Sequence, residues 1–171
     1  MLELGSLIRD IPDFPKKGIL FKDITTLLKE PRAFKQAIEE LTELVRVHRP
    51  DVVIGMESRG FIFAAPIAYL LNAGFVPVRK LGKLPGEVIS TEYDLEYGTN
   101  TLELHSDAIG RGARVLIVDD LLATGGTVSA TIELVERLQG EVVAVAFLVE
   151  LTDLNGRDRL EDYEVISLIK F

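Results

Sequence analysis

The chain of 171 residues contains no cysteine and no tryptophan, and only two histidines. Without cysteine there is no disulfide, no thiolate metal ligand and no thiol nucleophile, a composition that suits a reducing, cytoplasmic setting. Two histidines are too few for a multi-histidine metal cage. His48 at a helix end and His105 in a hairpin read as structural. Positive charge is also scarce, with 19 Lys+Arg against 27 Asp+Glu and a net charge of −8. A general nucleic-acid binder needs a basic footprint that this chain lacks, whereas a local cationic pocket for a small anion is still compatible with it. No apolar run reaches the ~18 residues of a membrane span; the nearest is 61–71. The opening MLELGSLIRDIPDF carries Glu3, Arg9 and Asp10 early and does not read as a secretory signal. The motifs GxxxxGK[ST], GxSxG and HExxH are absent. Gly110-Arg-Gly112 precedes a strand instead of opening a helix, which is not the layout of a dinucleotide turn.

The length fits one domain, burying roughly 70% of its unfolded surface, and 47% hydrophobic residues are enough for a core. The first thirty residues read as irregular, broken by Pro12, Pro15 and Gly18. Ala33, Phe34, Ala37, Ile38, Leu41, Leu44 and Val45 then recur at helical spacing, between Pro31 and Pro50. Residues 51–55 read as a buried strand, 61–71 as a buried helix and 75–78 as a strand that Pro77 puts toward an edge or an end. Residues 80–100, with Gly82, Pro85, Gly86 and Gly98, are too long for an ordinary connector and suggest a hairpin or a lid. Strands follow at 101–105, 114–118, 142–149 and 165–169, with an amphipathic helix at 127–138. This alternation predicts an α/β fold, a parallel twisted sheet flanked by helices.

In such sheets ligands bind beyond the carboxyl ends of the strands. One such end is VLIVDDLLATGGT (115–127). Asp119 and Asp120 close an apolar strand and are poor packing material unless paired or solvated, but suited to accept from the two hydroxyls of a ribose. Ala123, Thr124, Gly125, Gly126 and Thr127 then turn into a helix, offering backbone N–H groups and the helix dipole to a phosphate. A bare TGGT would fit an ordinary capped turn; the full strand–acid–turn–helix string reads as a phosphosugar cradle. The other end is Gly55-Met-Glu-Ser-Arg-Gly60, where Arg59 could meet a second anion. Arg79, Lys80 and Lys83 form a basic group just before the 80–105 segment. Leu121 and Leu122 fit a base pocket or plain core equally.

The 115–127 string resembles the fingerprint of the type I phosphoribosyltransferases. GILFKDITTLL (18–28), ESRGF (57–61), RKLGKLPG (79–86), LEYG (95–98), DDLLATGGT (119–127) and LVELTDLNGR (148–157) follow the adenine phosphoribosyltransferases in order and spacing along nearly the whole chain. The resemblance implies one domain over 1–171, with an N-terminal hood for base recognition at 1–30 and a flexible lid hairpin at 80–105. It implies transfer of the 5-phosphoribosyl group from 5-phosphoribosyl 1-pyrophosphate (PRPP) to adenine, giving AMP and pyrophosphate in purine salvage. Mg²⁺ would enter with the pyrophosphate, and the chain would act as a cytoplasmic homodimer. Arg59, Arg79, Lys80 and Lys83 would hold the pyrophosphate, some of them across the dimer, and 119–127 the phosphosugar. Leu20, Phe21 and Lys22 would meet the base; some members have Arg at the position of Lys22. Glu96, with Tyr97 beside it, would serve as the acid/base. Open alternatives are another base (hypoxanthine, guanine or orotate), a regulator that binds without turnover, and an inactive structural homologue.

Overall fold

The computed structural model describes residues 2–94 and 98–171. Its centre is a seven-stranded sheet in the order β5-β6-β4-β3-β7-β8-β9. The strands are β3 (Val52–Met56), β4 (Gly74–Lys80), β5 (Val88–Asp94), β6 (Thr99–His105), β7 (Arg114–Leu122), β8 (Glu141–Glu150) and β9 (Val165–Lys170). Strands β4, β3, β7, β8 and β9 run parallel. The β5–β6 hairpin adds antiparallel to the edge of β4. The sheet is therefore mixed: a parallel core extended by a hairpin over the segment expected to be a hairpin or lid.

The parallel strands are apolar on both sides because both sides are covered. Helices α2 (Pro31–Val45) and α3 (Gly60–Leu71) pack on one face, where Leu116, Val118, Ala146 and Leu148 meet Leu41, Phe63 and Ile67. Helix α4 (Gly126–Arg137) covers the other face with Val128, Ile132 and Val135 against Ile117, Val145 and Phe147. Over 115–118 the residues of β7 thus alternate between the two cores, as the two-residue period of a strand requires. The apolar helix α3 is not buried all round: Tyr69 and Leu70 face outward. No helix is long and apolar enough to cross a membrane among the described residues.

The first thirty residues are more ordered than their punctuation suggests. They hold a two-stranded antiparallel sheet, β1 (Arg9–Pro12) with β2 (Leu20–Asp23), and the short helix α1 (Thr25–Leu28). Pro12, Pro15 and Gly18 lie in or beside the loop joining the strands. Pro77 sits in an interior strand, since β3 and β6 flank β4. It is tolerated because β6 pairs with β4 only at Arg79 and Lys80, leaving the flank beside Pro77 without a ladder partner.

Candidate active site

Strand β7 runs on through both acids to Leu122 instead of stopping before them. The alternation of faces slips across these acids, since Leu121 packs in the α3-side core and Leu122 in the α4-side core, the reverse of Ile117 and Val118. Asp120 is buried on the α3 side and accepts from Arg59 Nε at 2.5 Å. Asp119 borders a hollow of about 70 Å³ under residues 121–128 and accepts from the Asp120 backbone N–H at 2.8 Å. It keeps some surface but is tightly hemmed, with Oδ1 2.7 Å from where a side chain on Gly60 would begin. Burial raises the Asp119 carboxyl well above the usual carboxylate range, and the Asp120 charge adds to that; the Asp120 N–H and the Arg59 charge oppose it.

After β7 the chain turns through 123–127 into α4. The residue preceding the helix is Gly125, at φ +82°, and no side chain caps the helix start. The simple alternative, a threonine cap, is not what forms. Thr124 is exposed, and the Thr127 hydroxyl reaches the Tyr93 hydroxyl at 3.4 Å. The first N–H groups of α4 are thus left without a side-chain acceptor, the condition under which a helix start receives an anion. Strand β5 lies above this turn: Asp94 O and the Tyr93 ring approach the Cα side of Gly126, and Thr91 donates to Glu133 on α4 at 2.9 Å.

The turn after β3 lies at the same carboxyl edge of the sheet, and its Glu57–Ser58 peptide is cis. Glu57, absent from the sequence-derived set, organises it. Its carboxylate accepts from the Lys80 N–H at 2.9 Å and from Arg79 Nε at 3.3 Å. These contacts, the Lys80 N–H foremost, hold the Glu57 carboxyl below its ordinary range against the opposing effect of burial. Arg79 also donates to the Lys83 carbonyl at 3.1 Å. Arg79, Lys80 and Lys83 are thereby gathered beside the Arg59 turn, with Lys80 and Lys83 exposed.

The base-recognition candidates divide. The Phe21 ring lies 5.5 Å from the Arg59 guanidinium carbon and so belongs to this edge. Leu20 is half exposed and lies opposite Pro12, which has no N–H to donate, so β1 leaves the Leu20 carbonyl open. Lys22 leaves β2 on the other side, where its ammonium meets Asp10 at 2.7 Å and the Phe171 ring at 3.8 Å. The structure thus joins Lys22 to the C-terminus and not to Arg59. Leu122 is fully buried core, while Leu121 is partly buried. Glu96 and Tyr97 lie outside the described residues. Among the described residues no group of three or more His, Asp or Glu side chains could hold a metal ion.

An acid-bearing strand end, an uncapped helix start and a basic strand edge share one rim of a parallel sheet, the architecture of an α/β protein that handles phosphorylated sugars. The phosphoribosyl transferase domain matches residues 24–171, and the chain belongs to that family. It is 58% identical over 169 residues to an adenine phosphoribosyltransferase of Halothermothrix orenii, covering 99% of each chain. A crystal structure of adenine phosphoribosyltransferase from Thermoanaerobacter pseudethanolicus superposes with a TM-score of 0.96 at 57% identity, over 99% of this chain and 98% of that one. The Giardia lamblia enzyme in complex with 9-deazaadenine gives 0.94 at 38% identity, over 99% and 96%.

Proposed function

We propose that the chain transfers the 5-phosphoribosyl group from PRPP to adenine. The bond from ribose C1′ to the pyrophosphate oxygen breaks, the bond from C1′ to adenine N9 forms, and the N9 proton passes to a base. AMP and pyrophosphate are the products. The observation that carries this reading is the uncapped start of α4 directly behind Asp119 and Asp120, at one rim with the Arg59 turn. The full-length identity to adenine phosphoribosyltransferases supports the choice of base.

In this reading the 5-phosphate sits on residues 123–127, and the Thr124 and Thr127 hydroxyls add donors to the backbone N–H groups. Asp119, with its raised pKa, bonds the ribose hydroxyls. Asp120 shares its carboxylate between Arg59 and the sugar. The pyrophosphate lies between Arg59 and the group Arg79, Lys80 and Lys83, which Glu57 holds in place. Mg²⁺ would enter with PRPP, where Asp119 and Asp120 are the acids at hand, and would supply positive charge to neutralise the leaving pyrophosphate. Adenine lies against Phe21, its exocyclic amine donating to the Leu20 carbonyl. A 6-oxo purine presents an acceptor there and would leave that carbonyl unpaired. Glu96 is our candidate for the base that takes the N9 proton, on its place in Leu95-Glu-Tyr-Gly98 alone. We place the reaction in the cytoplasm, in a homodimer. The outward apolar residues Tyr69, Leu70 and Phe75 support an apolar contact between copies.

The test is pyrophosphate release from Mg²⁺–PRPP with adenine, hypoxanthine, guanine and orotate in parallel. Release with adenine alone is expected. Release with another base would keep the phosphosugar assignment and overturn the base assignment, while silence with all four beside tight PRPP binding would favour a regulator.

A further inference from the structure

The motif LVELTDLNGR (148–157) has no role in the site as described so far. It leads from β8 into two short 3-10 turns, Thr152–Leu154 and Gly156–Leu160, joined at Asn155 in the left-handed conformation. Gly156 is buried, and a Cβ built on it would collide with the Ala123 carbonyl oxygen and lie 2.9 Å from Leu122 Cδ1. The approach is reciprocal, since a Cβ on Gly125 would lie 2.7 Å from the Gly156 carbonyl oxygen. Two glycine backbones therefore lie against each other, one in the phosphate turn and one in this segment. The stem of Arg159 also packs on Gly125, with Cβ and Cδ 3.5 Å from the same point.

The segment is itself tied down. Arg157 grips Glu150 with a two-pronged pair, Nε to Oε1 at 2.6 Å and Nη2 to Oε2 at 2.8 Å, and donates through Nη1 to the Val165 carbonyl at 3.0 Å. Glu150 is buried at the carboxyl end of β8. Leu151 N–H donates to the Leu122 carbonyl at 3.0 Å, fixing the entry beside the end of β7. Backbone to backbone contact transmits position without the slack of a side chain, and a fork-to-fork ion pair fixes orientation as well as distance.

We propose that residues 150–160 are the positioning platform of the phosphate turn, with Gly156 as the contact and the Glu150–Arg157 pair as its lock. The platform sets where the N–H groups of 123–127 point, and so acts on the phosphate through the turn without touching it. This rests on the assignment of the turn to the PRPP 5-phosphate.

The experiment measures the Kd of ribose 5-phosphate, the KM of PRPP, the KM of adenine and the thermal midpoint for the wild type, Gly156→Ala and Arg157→Lys. Ala at 156 must displace the Ala123 carbonyl; Lys at 157 keeps the charge but loses the fork. A displacement of this kind at a positioning group costs on the order of tenfold to a hundredfold. The expected result is a Kd for ribose 5-phosphate and a KM for PRPP raised about tenfold or more in Gly156→Ala, and by less in Arg157→Lys, with the KM of adenine unchanged. If Gly156→Ala does not fold, Arg157→Lys carries the test. A lower thermal midpoint with unchanged ribose 5-phosphate affinity would overturn the proposal and leave the site reading intact. Failure of the wild type itself to bind ribose 5-phosphate would overturn the site reading, and the platform with it.

Discussion

Asp119 and Asp120 are neighbours in sequence and in space, yet their partners differ. Asp120 has a guanidinium; Asp119 has a backbone N–H, close packing and a carboxylate next door. Raised above its unfolded value, the Asp119 pKa makes the folded state lose stability as pH rises from about 4 through the folded pKa. Asp119→Asn removes that loss. We expect the variant to melt at or above the wild-type temperature at pH 7 while its kcat/KM for PRPP falls about 10–100-fold, the cost of roughly 1.5–3 kcal/mol for a lost charged hydrogen bond. Unchanged kinetics would remove Asp119 from the site. Asp23 runs the other way. Its pKa is lowered to about 2, chiefly by the Thr25 hydroxyl and by Arg9. Its contribution is present above about pH 4 and is lost as pH falls toward 2. Asp23→Asn should therefore cost about 1–2 kcal/mol at pH 6, by chemical denaturation, with the gap closing near pH 2. A gap independent of pH would contradict the charge argument.

At the scale of elements, the parallel strands and their helices are legible from the sequence because apolar periodicity is set by burial, and burial here is two-sided. What escaped has local physical causes. The acids read as the end of β7 because charge in a buried strand needs partners that lie 61 residues away, at Arg59 for Asp120. Strands β1 and β2 have only four residues each, too few to show a period. The contact of Gly156 with Ala123 joins positions 33 apart with no side chain to advertise it, and the role of Glu57 depends on backbone N–H groups of another strand. The turn 55–60 is likewise held by packing invisible to pattern. A Cβ on Gly55 would meet Ala64 Cβ at 2.8 Å and Phe75 at 3.0 Å, where β3 lies against α3. Gly55→Ala should cost about 1–3 kcal/mol, read from the urea midpoint at constant slope. A neutral result would mean that α3 is free to retreat from the sheet.

For the whole molecule, the net charge of −8 and the phosphate-bearing substrate are reconciled by segregation: cations are gathered at one rim by Glu57 and Asp120 while the surplus acids face outward elsewhere. The absence of cysteine and the presence of only two histidines exclude thiol chemistry and a multi-histidine cage on composition alone, whereas the pairing of Lys22 with Asp10 and Phe171 is not legible in composition. Tyr69, at 85% exposure, and Leu70 offer the apolar surface for the proposed dimer. Tyr69→Glu combined with Leu70→Glu should shift the mass in solution, by light scattering, from two chains to one with the fold retained by circular dichroism. A wild-type protein already monomeric at working concentration would contradict it. The central claim is a group transfer that links two products, and its most direct test is their stoichiometry. With Mg²⁺–PRPP and adenine, AMP and pyrophosphate should appear in equal amounts, measured by chromatography of one quenched reaction. Pyrophosphate without AMP would indicate hydrolysis, and the absence of both beside bound PRPP would indicate a sensor; either would contradict the account.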